Sequence, residues 1–281
     1  MSLTLKPSSS PRPHEKSIPS LTQKLMADIE KLGYVIHPVI VDSETNVIVD
    51  GTHRIEALQG LRIPHAPVYA VDYLGEEVRL ETWARLLKSE ISLEDVESTA
   101  AALSLAMERL EDVNLAAPRN SLTLIIGETV FEFVQMDGGI ASIFSLTEEL
   151  DKRFKDAGLE YVREGELLNR IKKGDAKAGY MIPRLEKRDV IKLTLDGVLL
   201  PPKSTRHIVT GRPMFIFCPL NILKQPAEEA REKFRKWLDG GRRIRLPPCS
   251  LIDRVYEEPV EVYYFESLRH LYPQALLREY L

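Results

Sequence analysis

The stretch Val47–Leu58, VIVDGTHRIEAL, gathers several chemistry-bearing side chains at one turn. An apolar run ends in Asp50, Gly51 permits a sharp turn, and a helix is expected from Thr52 to about Leu61. A helix start presents unpaired N–H groups and the positive end of the helix dipole, which suits a phosphate. Thr52, His53 and Arg54 add a hydroxyl, an imidazole and a guanidinium, and Arg54 can grip two phosphate oxygens at once. Asp50 falls at the carboxyl end of a strand, where α/β sites gather, and could hold Mg2+ beside the phosphates. On composition alone, an ordinary strand–turn–helix with a capping Asp or Thr and a solvated arginine accounts for the segment equally well.

A second concentration lies at Pro201–Ile208, PPKSTRHI. Lys203, Ser204, Thr205, Arg206 and His207 form a dense donor set for a phosphate or an amino-acid carboxylate. If the loop is extended, Lys203, Thr205 and His207 alternate onto one side and can converge on one ligand; an exposed basic loop is the plainer alternative. Transfer of a phosphoryl group to an alcohol needs phosphate positioning, charge neutralisation and a carboxylate near the attacking hydroxyl. Glu15 and Asp50 are the candidate carboxylates, although Glu15 taken alone reads as a solvated residue of a Pro/Ser-rich leader. Trp83, at helical spacing with Leu80, Leu86 and Leu87, reads by itself as core. His37, His65 and His270 are isolated and carry no assigned role. Cys218 and Cys249 read as inert, too few for a disulfide framework and too sparse for a zinc site.

These residues need elements to hold them. Residues 1–13 lack periodicity and are expected to be loose. Leu21, Leu25, Ile29 and Leu32 mark a helix closed by Gly33, and YVIHPVIV and VIV mark strands around a DSETN turn. The segments EEVRLETWARLL and LEDVESTAAALSLAMERLEDV read as two helices. SLTLIIGETVFEFV reads as a hairpin turning at Gly127-Glu128, and Ser145 with Glu148 has capping-box spacing. FIFC and EVYYFES read as strands, and AEEAREKFRKWLDGG as a solvated helix. The texture changes near Pro118, giving an expected division into an α/β unit over 1–117 and a second over 118–281.

Composition limits the function classes. The 281 residues carry 38 Lys+Arg against 42 Asp+Glu, a net charge of −4, with 44% hydrophobic and 28% charged residues. That is a globular profile, poorly suited to coating nucleic acid. No apolar run approaches the ~20 residues a membrane span needs, and the first residues lack a signal-peptide core, so a cytoplasmic protein is expected. Five Asn and five Gln beside abundant Glu, Lys and Arg hint at a thermophile.

DGTHRIEAL, preceded by a strand hairpin, a helix and PHE, resembles the ParB/sulfiredoxin superfamily, whose members bind nucleotide phosphates at this turn. Sulfiredoxins carry a catalytic cysteine in a GCHR-like pattern, where this chain has Thr52. ParB proteins carry a GERR-like turn and a helix-turn-helix domain, and no convincing helix-turn-helix is found here. The best match is the free serine kinase group, with DGHHR at this place; Thr52 replaces its first His and keeps a polar donor. Pro13–Glu15 is similar to that group's motif bearing a catalytic glutamate. Trp83 in TWAR falls where its substrate-side tryptophan is expected, and PPKSTRHI resembles its PPKTTRH loop.

The resemblance implies a two-domain α/β fold with a ParB/sulfiredoxin-like nucleotide domain and an interdomain cleft. It implies phosphorylation of free L-serine to O-phospho-L-serine with ATP or ADP, feeding cysteine synthesis. Glu15 would act as general base and Asp50 as a second carboxylate, through Mg2+. Gly51, Thr52, His53 and Arg54 would cradle phosphates, while Trp83, Lys203, Ser204, Thr205, Arg206 and His207 would hold the substrate. The implied partners are L-serine and a nucleotide, with neither a membrane nor nucleic acid; the donor and the oligomeric state stay open. A ParB-type DNA-binding regulator and a nucleotide hydrolase of the same fold are the rivals.

Overall fold

Four strands make the sheet that carries the turn at Gly51. Ser2–Pro7 pairs antiparallel with His65–Val71, which runs parallel to Val39–Asp42, and that strand pairs antiparallel with Ile48–Asp50. Every residue of Val39–Asp42 is buried, the apolar Val39–Val41 as a strand covered on both faces should be, and Asp42 with its carboxylate bonded to Thr45. The helix Pro19–Leu32 stops at Gly33, whose φ of 77° lets its N–H reach the Ile29 carbonyl, as the sequence predicts. The next helix, Thr52–Gly60, buries Ile55, Ala57 and Leu58.

The computed structural model describes residues 2–102, 104–110, 121–134 and 140–280. They divide into two compact units, Met1–Arg79 with His207–Leu281, and Leu80–Arg206. The expected boundary at 117/118 lies within 111–120, outside the described residues. The first unit is built from both ends of the chain, which a single cut does not describe. Its core joins Leu5, Val39, Ile48 and Val68 from the N-terminal part to Phe217, Phe234, Val260 and Leu276 from the C-terminal part. A three-stranded sheet, in the order Arg212–Met214, Val260–Tyr264, Arg242–Leu246, belongs to this unit, and the expected helix Ala227–Asp239 packs on the strand Ser2–Pro7.

The second unit is a six-stranded antiparallel sheet in the order Leu159–Arg163, Trp83–Leu87, Ala178–Met181, Leu122–Ile126, Thr129–Val134, Ala106–Leu110. Its core includes Ala84, Leu86, Ile125, Val162, Leu167 and Met181.

Several expectations are corrected. The leader is not loose: Ser2–Pro7 is a paired strand with Leu5 buried in the core. Arg12 is tied to the next strand by its N–H to Asn46 O and its carbonyl to Ile48 N, both at 2.8 Å. TWAR is strand, not helix, because Trp83–Leu87 is flanked by partners on both sides, and such context overrides helical spacing. The helix Leu93–Ala102 ends early and Ala106–Leu110 is a strand. Ser145 lies inside the helix Ile140–Arg153 and does not start one. FIFC is not a strand: Phe215 and Phe217 have φ of 56° and 38°, and only Cys218–Pro219 pairs, with Tyr34–Val35.

Candidate functional site

Gly51 has φ 111°, a conformation that side-chain-bearing residues rarely adopt, and it turns the chain from the strand Ile48–Asp50 into the helix Thr52–Gly60. No side chain caps that helix start. The Arg54 guanidinium folds back over the turn, so that a Cβ at position 51 would meet its Nε and Nη2 at 2.8 Å. Arg54 Nε is buried without a hydrogen-bond partner, an arrangement that usually marks the place of a missing ligand or water.

Asp50, half-buried at the strand's end, lies between two arginines. Its Oδ2 is 2.8 Å from Arg212 Nη1 and 3.3 Å from Arg54 Nη2. Burial works to raise its pKa, but the two guanidinium groups outweigh that and hold the carboxyl well below the usual range. Arg212 is a buried hub: its Nε lies 3.1 Å from Glu258 Oε1, and its Nη2 donates to the His207 carbonyl at 3.3 Å. His207 of the basic loop motif is thereby tied through Arg212 to Asp50.

Glu15 is mostly buried and its Oε1 lies 3.5 Å from His14 Nε2; the leader that holds it is fastened to the strand Ile48–Asp50 through Arg12. The His14 ring meets the His207 ring edge-on, with centroids 5.3 Å apart. His207 Nε2 is 2.7 Å from the Tyr73 hydroxyl. Burial, then the nearby His14, lowers the His207 pKa to about 3, so the ring is neutral at pH 7. Burial, then Glu15, pushes the Tyr73 pKa far up, so Tyr73 keeps its proton in this contact with the neutral His207 ring. His53 points elsewhere: its Nε2 accepts the Ile18 N–H at 3.0 Å, securing the entry to the helix Pro19–Leu32.

The other candidates belong to the second unit. Trp83 opens the strand Trp83–Leu87, and Lys203 Nζ and Arg206 Cζ each lie 5.5 Å from its ring centroid, within cation–π range. Arg206 also pairs with Glu81. The segment 202–204 is a turn, with Lys203 at φ 63° and Ser204 Oγ bonded to Pro201 O at 2.8 Å. The expected alternation of Lys203, Thr205 and His207 therefore does not hold. Lys203 and Arg206 share a partner, Ser204 and Thr205 are buried, and His207 faces Tyr73.

Arg212, Glu258, Tyr73 and His14 were missed by sequence reasoning. Their only sequence signals are His14 beside Glu15 in PHE and Arg212 five positions past His207; burial and pairing are invisible in one sequence. Among the described residues no group of three or more His, Cys, Asp or Glu side chains could hold a metal. Asp50 Oδ2 is taken by two cations. The donor set does not fit an ion held by the protein alone.

No family model matches the chain. It is 28% identical over 197 residues to a ParB-like protein of Sulfolobus acidocaldarius, covering 70% of this chain and 85% of that protein. It is 24% identical over 223 residues to an ATP-dependent L-serine kinase of Desulfurococcus mucosus (75% and 87% covered). Against an ADP-dependent L-serine kinase of Thermococcus kodakarensis the identity is 24% over 212 residues (72% and 85%). The solved structure of a free serine kinase in complex with AMP matches with a TM-score of 0.67 at 22% identity, covering 79% of this chain and 94% of that one. The chain is thus similar over most of its length to ParB-like and L-serine kinase proteins, and it shares the fold of the free serine kinase.

Proposed function

We propose that this protein is a kinase that phosphorylates the hydroxyl of free L-serine, with ATP or ADP as donor. The observation that carries the reading is the uncapped helix start at Gly51–Arg54, flanked by Arg54 and Arg212, in a chain similar to L-serine kinases.

In this reading the first turn of the helix and Arg54 bind the donor phosphates, with the buried Arg54 Nε as a waiting donor. Gly51 lets the chain approach them closely, and Thr52 adds a hydroxyl. His53 shapes the turn through Ile18. Glu15 accepts the proton of the serine hydroxyl as that oxygen attacks the terminal phosphorus, while the bond from that phosphorus to the bridging oxygen breaks and the shortened nucleotide, ADP from ATP or AMP from ADP, leaves. Asp50 is the second carboxylate, kept ionised by its arginines, and orients Arg54 and Arg212. Trp83, Lys203 and Arg206 serve the amino acid and its phosphate, with the two cations matched to a carboxylate or phosphate, while the buried Ser204 holds the turn through Pro201 O and His207 meets Tyr73. Mg2+ accompanying the nucleotide would supply charge neutralisation for the phosphates, and no residue of this chain is assigned to hold it. A cytoplasmic place and a supply of O-phosphoserine to cysteine synthesis fit such a reaction.

Nucleotide consumption measured with and without L-serine tests this directly. Consumption that depends on serine is expected; the same rate without it indicates a hydrolase. The similarity to a ParB-like protein keeps one rival in view, and a salt-sensitive shift of duplex DNA by the purified protein would favour it.

A further inference from the structure

The second unit holds a buried arginine that none of the roles above uses. Arg85, in the strand Trp83–Leu87, is 0% exposed. Its fork meets Asp151 twice, Nε to Oδ1 at 3.1 Å and Nη2 to Oδ2 at 3.2 Å. Asp151 also accepts the hydroxyl protons of Tyr180 and Tyr161. The rest of the guanidinium faces backbone: Nη1 donates to Trp83 O at 2.9 Å and to Lys203 O at 3.1 Å, and Nη2 to Pro202 O at 3.4 Å.

One side chain therefore ties together the two segments that carry Trp83 and Lys203. Lys203 sits at φ 63°, a conformation a non-glycine residue keeps only where its surroundings hold it. A planar fork can bond a carboxylate and three carbonyls at once, whereas a lysine ammonium at the same place cannot. A buried arginine paired only for stability would need Asp151 but not the carbonyls of the basic turn.

We propose that Arg85, braced by Asp151, is a positioning residue for the substrate subsite. It sets the Pro202–Lys203 turn against the Trp83 strand, so that Lys203 and Arg206 both lie on the Trp83 ring and present two cations to the carboxylate or phosphate of a small amino acid. The identity of that ligand rests on the serine kinase reading; the placement of the turn does not.

The chain has two tryptophans, so Trp237→Phe leaves Trp83 as the sole reporter. In that background, Arg85→Lys keeps the charge facing Asp151 and removes the fork. Acrylamide quenching of Trp83 should rise. In the full chain the same substitution should lower kcat/KM for serine ~10–10²-fold, mainly through KM, with nucleotide affinity unchanged. Should Arg85→Lys fail to fold, Tyr161→Phe removes one hydroxyl from Asp151 and should move the same readouts less far. Unchanged quenching in a folded variant overturns the proposal. So does a parallel fall of serine and nucleotide affinity with melting temperature, the mark of a purely structural residue. A parent protein with no serine-dependent turnover, but with the quenching change intact, would sink the kinase reading and leave Arg85 in its place.

Discussion

At the residue scale, Glu15 and Asp50 are both carboxylates but their surroundings separate them. Asp50 faces two arginines that hold it ionised, which makes it a poor proton acceptor at neutral pH. Glu15 has a histidine beside it, and with Asp50 held ionised by its arginines the proton is assigned to Glu15. Glu15→Gln should keep nucleotide affinity by calorimetry and lose turnover ~10²–10⁴-fold, the usual cost of removing a general base; near-normal turnover would remove Glu15 from that role. The histidines add a pH signature. His37 and His207 are each lowered to about 3, chiefly by burial. The unfolded chain takes up protons at these positions near pH 6.5, where the fold does not. Their neutral forms thus favour the fold fully above about pH 6.5, and that advantage is lost as pH falls toward about 3. Asp50, also depressed, favours the fold above the ordinary carboxylate pKa of about 4 and loses that contribution below it. Urea midpoints should therefore fall between pH 7 and pH 4, with a shallower slope in His207→Gln. Equal slopes would show that His207 titrates normally.

At the element scale, the strand–turn–helix depends on Gly51 and on the arginine folded over it. Gly51→Ala places a Cβ against Arg54 and forces a left-handed φ on alanine. A loss of roughly 1–3 kcal/mol in stability is expected from such backbone strain, with weakened nucleotide binding because Arg54 must move. Arg54→Ala should keep the fold and cost about 1.5–3 kcal/mol of nucleotide binding, and calorimetry distinguishes the two variants. This element was legible in the sequence because an apolar run, a glycine and a helical pattern fall in order. The strand at Trp83–Leu87 was not, because Leu80, Trp83, Leu86 and Leu87 also satisfy a helical spacing and only the flanking strands decide between them. The strand of the leader is hidden for a related reason: it is edge-paired and ends in proline, and pairing with His65–Val71 and the burial of Leu5 define it. The turn at 202–204 hides in PPKS because a left-handed lysine has no sequence mark.

At the scale of the whole molecule, the first unit closes by bringing the chain's two ends together, and that is what delivers Arg212, His207 and Glu258 to Asp50. A sequence read from one end to the other shows composition shifts along the chain, not which distant segments share a core. A fragment of residues 1–117, the domain expected from that reading, lacks Phe217, Phe234, Val260 and Leu276 of the core it would need. It should show no cooperative urea transition, whereas the full chain should. The two motifs, DGTHR and PPKSTRH, were both legible because donor residues crowd together there; the buried arginines that fix them, Arg54 apart, were not. The central claim is phosphoryl transfer to serine. Phosphorus NMR of the protein with Mg2+, L-serine and either ATP or ADP tests it most directly. A phosphomonoester resonance matching O-phospho-L-serine, growing only when serine and one of the nucleotides are both present, is the predicted result. Inorganic phosphate appearing alone, or unchanged nucleotide with both donors, would contradict it.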